Sequence, residues 1–238
     1  MIELYTIPAG VPDSIDRDRP VIIIDIFRAS TSMSAALDAG AKELYFAGSI
    51  KEGEKLKSLL GQGVVMAGER EGYRIKGYDL GNSPREMSPE ALSGKTVVFN
   101  STNGTKLLRR FSEFDHVIVG SFVCLDAIVA HLRTYEKDPV VCCAGTVSRF
   151  SGEDTLAAGM IISRLVVNGK KTDDASDFAR RLVENHPDEW REWAINSRHG
   201  QYLASIGLKD DLDFCTEVNR YNFVPIKDGE RIVKLDLD

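Results

Sequence analysis

Cysteine is scarce in this 238-residue chain, and its placement is uninformative of bonding. Cys124, Cys142, Cys143 and Cys215 include one adjacent pair and no C-x-x-C spacing. No disulfide framework is encoded, and a reducing compartment fits. Long apolar runs are missing too. The longest, such as Val21-Ile22-Ile23-Ile24, are short and β-branched, far from the ~20 residues that cross a bilayer, so no membrane partner is expected. The opening MIELYTIPAG has neither a basic n-region nor an apolar h-region, so no secretory signal is expected and a cytoplasmic location is. No long basic run appears, and the formal net charge is −6. Nucleic-acid binding draws on Lys and Arg against phosphate, and it is not expected here. A small anion stays open as a partner, because net charge does not set the field inside one cleft. Four familiar signatures are absent: G-x-x-x-x-G-K-[ST], G-x-G-x-x-G after a strand, G-x-S-x-G and H-E-x-x-H. Nucleotide kinases, dinucleotide enzymes, serine hydrolases and zinc proteases lose support accordingly.

What remains is an ordinary soluble composition, 43% hydrophobic and 28% charged, in a chain long enough to bury about 70% of its unfolded surface. Short Val- and Ile-rich runs predict strands at 2–7, 21–26, 43–46, 64–67, 96–100, 117–119 and 140–143. Helical patterns lie between them at 31–39, 50–60, 104–111, 125–133 and 153–167. Several of the runs lack alternation, as strands covered on both faces do. The last third predicts helices at 174–185, 188–196 and 199–206, then strands at 224–226 and 231–234 around a Lys227-Asp228-Gly229 turn. The expectation is an α/β fold with a mostly parallel or mixed sheet flanked by helices. One domain over 1–238 is expected. Two similar α/β lobes joined near Lys137-Asp138-Pro139 are the alternative arrangement.

One junction recurs. An apolar strand runs into Ser, Thr, Asn and Gly and then into a small-residue helix at 21–37, 96–108, 117–129 and 140–159. Open α/β sheets bind ligands beyond the carboxyl ends of their strands. Helix N-termini there present unpaired N–H groups to anions. The same residue types are also ordinary N-caps, so capping alone competes with anion binding as the reading.

Asp25 ends the most apolar strand, where a charge needs a partner or a metal. Arg28 follows three residues on. The pair reads either as an Asp25–Arg28 ion pair or as a Mg²⁺ ligand beside a bidentate phosphate clamp. Asp25 as covalent nucleophile has less support, because Phe27 stands where aspartyl-phosphate hydrolases carry a second Asp. Glu69, followed by Arg70, ends another strand and could share the metal. Glu153 and Asp154 read as acids at a helix start, or as a metal ligand or general base. Asn82 either stabilises a turn before Pro84 or donates to a ligand. His199 is structural, a general acid or an anion contact. Cys142 and Cys143 read as small hydrophobes, and Trp190 and Trp193 as packing.

Together these stretches resemble the 2-phosphosulfolactate phosphatases. The resemblance rests on Asp25-Ile-Phe-Arg-Ala-Ser-Thr31, Gly68-Glu-Arg70, Gly81-Asn-Ser-Pro84, Phe99-Asn-Ser-Thr-Asn-Gly-Thr105, Gly120-Ser-Phe122, Cys143-Ala-Gly-Thr146, Glu153-Asp154 and the tail 207–225. It covers nearly the whole chain. It implies an α/β, Mg²⁺-dependent phosphatase that hydrolyses 2-phospho-3-sulfolactate to 3-sulfolactate and phosphate in coenzyme M biosynthesis. On that basis Mg²⁺ is expected on Asp25, Glu69 and Asp154. Phosphate is expected on Arg28, Ser30, Thr31 and Ser32, and on Asn100, Ser101, Thr102, Asn103, Gly104 and Thr105. Ser121, Gly145 and Thr146 are expected at the carboxylate or sulfonate, with Arg70 and Asn82 also on the substrate. A nucleotide-dependent phosphotransferase and a non-catalytic anion-binding module are the rival functions, and a homodimer is left open.

Overall fold

The computed structural model describes residues 1–101, 104–147, 149–166 and 170–237, and of 105 and 106 the backbone only. Its first half runs through β1 (Glu3–Tyr5), β2 (Val21–Ile24), α1 (Ala29–Asp38), β3 (Glu43–Phe46), α2 (Ile50–Leu60), β4 (Val64–Arg70), β5 (Tyr73–Arg74), α3 (Pro89–Leu92) and β6 (Thr96–Asn100). Next come α4 (Gly104–Arg110), β7 (Val117–Gly120), α5 (Leu125–Leu132), β8 (Val140–Cys143) and α6 (Gly152–Leu165). The last part holds α7 (Asp174–Asn185), α8 (Trp190–Ile195), α9 (Arg198–Ser205), α10 (Lys209–Cys215), β9 (Phe223–Asp228) and β10 (Arg231–Asp236).

The elements follow from local chemistry. All four residues of β2 are buried, as a strand with helices on both faces requires. Helix α2 begins at Ser49, whose side chain accepts from the Glu52 amide, and α7 begins at Asp173, which accepts from Ser176. Each cap satisfies one of the orphan donors of a first turn. Helix α1 has no such cap and no polar face: Ala29 through Leu37 are all buried. Its small residues let all of it but the exposed Asp38 lie inside the molecule.

The strands form one sheet in the order β1-β8-β2-β7-β9-β10-β3-β6-β4-β5. Strands β1, β8, β2 and β7 are mutually parallel, as are β3, β6 and β4. Between these half-sheets sits the C-terminal hairpin, antiparallel at β7/β9, β9/β10 and β10/β3. Three antiparallel steps reverse the sense, so the two parallel half-sheets run in opposite directions. The sheet is therefore mixed. One hydrophobic cluster reaches from Ile2 and Val141 through Ile22 and Val224 to Phe99. A smaller one, with Met66, Tyr78 and Val98, lies by the β4–β6 half-sheet. The segment Lys137-Asp138-Pro139 leads into β8, and Asp138 meets the Met1 ammonium at 2.8 Å and Lys170 at 3.0 Å. No described helix is long and apolar enough to cross a membrane.

Helix α10 carries the tie between the C-terminal region and β2. Asp211 accepts from Arg28 Nη1 at 2.6 Å and from Ser83 Oγ at 2.7 Å, and all three side chains are buried. Arg28 Nη2 donates to the Gly72 carbonyl at 2.7 Å. One carboxylate thus holds the β2–α1 turn, the turn before Pro84 and α10 together. Removing one partner of a buried ion pair leaves the other charge uncompensated, at about 3–5 kcal/mol. Asp211→Ala should lose that much unfolding free energy in urea; a loss under about 1 kcal/mol would contradict this assignment.

Candidate active site

Beyond Ile24 the chain turns sharply. The Asp25 amide donates to Ser30 Oγ at 2.9 Å, and the Asp25 carbonyl accepts from the Ser30 amide at 2.8 Å. This local pairing fixes where the Asp25 carboxyl points. The Gly104 amide, at the start of α4, donates to that carboxyl. A Cβ at position 104 would stand 3.0 Å from Asp25 Oδ2, so the close approach of α4 needs glycine. The chain after β6 therefore reaches β2 although the two half-sheets run in opposite senses.

Asp154 joins a second junction to the same place. Its Oδ1 accepts from the Ile26 amide at 2.8 Å and its Oδ2 from the Gly145 amide at 3.1 Å. Ser151 caps α6 by accepting from the Asp154 amide. Glu153 is also buried and lies 3.5 Å from His199 Nδ1. The carboxyls repel one another. Burial, with Glu69 and Glu153 adding to it, pushes Asp25 up to about 6 against the opposing influence of His199 and the Gly104 amide. Burial, then Glu153 and Asp25, pushes Asp154 well above the carboxylate range.

A cleft of about 600 Å³ opens above Asp25. Glu69 lies at the end of β4, and its Oε2 accepts from the Gly72 amide at 2.9 Å. The guanidinium groups lining this space are those of Arg28, Arg70, Arg149 and Arg198. Among the described residues Arg70, Arg149 and Arg198 form no ion pair with a carboxylate; Arg70 donates to the Glu69 carbonyl at 2.7 Å. Carboxylates and guanidinium groups thus line one cleft.

The structure sorts the expected residues. Asp25, Arg28, Glu69, Arg70, Asn82, Ser101 and Thr146 line the cleft. Asn100 lies buried at the end of β6, and neither polar atom of its side chain has a partner among the described residues. Asn82 Oδ1 is buried and without a partner among them likewise. Thr102 and Asn103 lie outside the described residues, as does the side chain of Thr105.

Other expectations are corrected. Asp25 and Arg28 do not pair; Asp211 takes Arg28, and both terminal nitrogens of its fork already donate to protein. Nη1 and Nη2 each keep a second N–H, and Arg28 lines the cleft. Ser30, Thr31 and Ser32 are buried, with hydroxyls bonded to the Asp25 amide, the Ile26 carbonyl and the Asn82 carbonyl. They hold the β2–α1 turn and its neighbour before Pro84, and none of them caps α1. Ser121 is buried against Ser34 at 3.2 Å, and the Gly145 amide is taken by Asp154. Asp25, Glu69 and Asp154 do not form a three-carboxylate metal group, and none of three or more ligands exists among the described residues. Asp154 has both oxygens engaged by amides. Burial raises the Cys142 and Cys143 thiols far above their ordinary range, which suits small hydrophobes rather than nucleophiles.

Arg149, Arg198, Glu71 and Tyr202 escaped the sequence reading. Arg198 sits beside His199, and that neighbouring histidine was the available signal. Arg149 closes a tight hairpin in which Thr146 and Arg149 exchange backbone bonds of 3.0 Å. Tyr202 Oη donates to the Glu71 carbonyl at 2.9 Å, tying α9 to the β4–β5 turn.

Fold and cleft together describe an α/β protein with a cleft lined by carboxylates and guanidinium groups. The family model for 2-phosphosulpholactate phosphatase matches residues 5–230. A protein of Carboxydothermus hydrogenoformans named probable 2-phosphosulfolactate phosphatase is 37% identical over 91% of each chain. Proteins of the same name from Thermotoga petrophila and Caldanaerobacter subterraneus are 38% identical over 87% of this chain and 88% of theirs, and 32% over 96% of each. The chain belongs to the 2-phosphosulpholactate phosphatase family, whose members are phosphoric monoester hydrolases.

The raised Asp25 carboxyl has a stability signature. The folded state binds this proton more tightly than the unfolded one, so unfolding free energy falls as pH rises from 3.8 through about 6. The shift is worth about 3 kcal/mol. Without divalent cations, Asp25→Asn should be more stable than the parent by up to about that amount at neutral pH. The gain should vanish near pH 4 in urea titrations; a pH-independent difference would contradict the burial of this charge.

Proposed function

We propose that the protein is a Mg²⁺-dependent phosphatase that hydrolyses 2-phospho-3-sulfolactate to 3-sulfolactate and phosphate. The observation carrying this reading is the meeting of both charges in one cleft, which Asp25, Glu69 and Glu71 line together with Arg28, Arg70, Arg149 and Arg198. The names of the relatives supply the substrate, and the cleft fits its chemistry. Such a molecule bears phosphate, carboxylate and sulfonate. Unpaired guanidinium groups suit the two acid groups that do not react, because each presents several donors in a planar fork.

A bare carboxylate cluster repels phosphate, so the floor needs a cation. The donors fit a hard one. Asp25 and Glu69 offer oxygen ligands, and Mg²⁺ commonly takes one or two carboxylates with water and substrate oxygens completing its shell. Burial first, then Glu69 and Glu153, push Asp25 up, and a bound dication would favour its ionised form. When bound, Mg²⁺ would polarise the phosphoryl oxygens and offset their charge.

The chain's own residues orient and enclose. Arg28, pinned by Asp211 and Gly72, holds the floor of the cleft in place. Asn82 and Asn100 keep buried hydrogen-bonding capacity that partners among the described residues leave unused, and a ligand at the strand ends would satisfy it. Phosphoryl transfer asks mostly for such positioning and charge stabilisation.

Phosphate release from 2-phospho-3-sulfolactate should require Mg²⁺. A hydrogen bond to a charged group is worth about 1.5–3 kcal/mol, so Arg149→Ala and Arg198→Ala should each raise KM about 10- to 100-fold for this substrate. The same variants should change KM for glycerol 2-phosphate, which lacks both extra acids, less than about threefold. Turnover without Mg²⁺, or equal KM changes on both esters, would contradict the reading.

A further inference from the structure

His199 lies in the first turn of α9, whose N-cap Ser197 accepts from the Gly200 amide at 3.0 Å. Its side chain is 19% exposed. The Nδ1 edge is turned into the protein, 3.5 Å from Glu153 Oε1 and 3.4 Å from Thr146 Oγ1. Glu153 is 2% exposed, and among the described residues its only ion-pair partner is this imidazole. A carboxylate so buried needs a cationic or donating partner, and His199 is placed to be it. An imidazole held at Nδ1 presents Nε2 at the opposite edge of the ring. His199 lines the cleft that holds Asp25, so that edge is the one available to a ligand.

Hydrolysis of a 2-phospho acid expels a secondary alkoxide. Charge builds on that oxygen as its bond to phosphorus breaks, and a proton delivered in the transition state is worth about 10²–10⁴ in rate. The cleft's arginines stay protonated throughout and give up no proton. Histidine changes protonation readily in the neutral range, and its second nitrogen is set by the partner of the first.

We propose that His199 is the general acid of this reaction, giving its Nε2 proton to the leaving ester oxygen, and that Glu153 is a positioning residue that orients the ring. The proposal rests on the phosphatase reading above and names the group that completes it. The bond between phosphorus and the ester oxygen breaks, and its electron pair stays on oxygen, which takes the Nε2 proton and departs as the alcohol. A water oxygen bonds to phosphorus and its proton passes to solvent. Solvent then returns a proton to the imidazole. Glu153 faces the positive ring before transfer and the Nδ1–H after it, so the ring keeps one orientation through the cycle.

Two esters with the same skeleton and charge separate this role from a structural one. 2-Phospholactate expels an alkoxide and needs the acid; phosphoenolpyruvate expels a far less basic enolate and needs it little. In the Mg²⁺-loaded enzyme, His199→Gln should lose about 10²–10⁴ in kcat on 2-phospholactate and less than about tenfold on phosphoenolpyruvate. Glu153→Gln should show the same split at smaller size, about 10- to 100-fold against less than threefold, with KM nearly constant; it carries the test if His199→Gln does not fold. Equal losses on the two esters, or parental turnover of 2-phospholactate by His199→Gln, would overturn the role of His199. So would parental enzyme that hydrolyses 2-phospholactate but resists the enol ester. Parental enzyme that releases phosphate from neither 2-phospholactate nor 2-phospho-3-sulfolactate would instead overturn the phosphatase reading itself.

Discussion

Negative charge crowded into the dry ends of the strands is the constraint around which this molecule is arranged. Asp25 follows β2, Glu69 lies near the end of β4, and Glu153 and Asp154 open α6, all four buried. Solvation is lost there, and Glu69 and Glu153 add to the cost of ionising Asp25, as Glu153 and Asp25 do for Asp154. The surrounding chain answers with fixed dipoles. The amides of Ile26 and Gly145 point at Asp154, Gly104 at Asp25 and Gly72 at Glu69. These bonds hold four separate loops to one centre. They orient these carboxyls without adding a formal positive charge.

The architecture explains how such distant segments meet. The C-terminal hairpin separates two parallel half-sheets of opposite sense, so ligand-binding strand ends do not fall along one edge as in a doubly wound sheet. Contacts that cross the molecule make the cleft instead: α4 reaching Asp25, α9 tied to the β4–β5 turn, and α10 clamped to Arg28. The last two come from the C-terminal third, whose role is to enclose. Arg28, an obvious phosphate ligand by composition, is held inside this enclosure by Asp211 and the Gly72 carbonyl.

Much of this was legible in order and kind. Strands β3, β6 and β8 and helices α2 and α7 fall where the pattern puts them, because each is a compact apolar run or a capped amphipathic segment bounded by turn residues. Asp25 stood out as a charge ending a strand with no polar side. The directions of small side chains were not legible. Ser30, Thr31 and Ser32 look alike in sequence whether they cap a turn or face a ligand, and α1 is buried all round, so periodicity gives no outward face. The Arg28–Asp211 pair spans 183 residues and has no local trace. Arg149 lies in an irregular hairpin and Arg198 at a helix start, so no period marks either as part of the site. Strand β5, two residues long, and helix α10, seven, are too short to show a period.

Binding of inorganic phosphate followed by calorimetry, with and without Mg²⁺, tests most directly whether the carboxylate floor must be neutralised before the cleft accepts an anion. Saturable binding at one site with Mg²⁺ present, and none without it up to millimolar phosphate, is the predicted result. Equal affinity in metal-free protein would contradict it, because the arginines alone would then outweigh the charge beneath them.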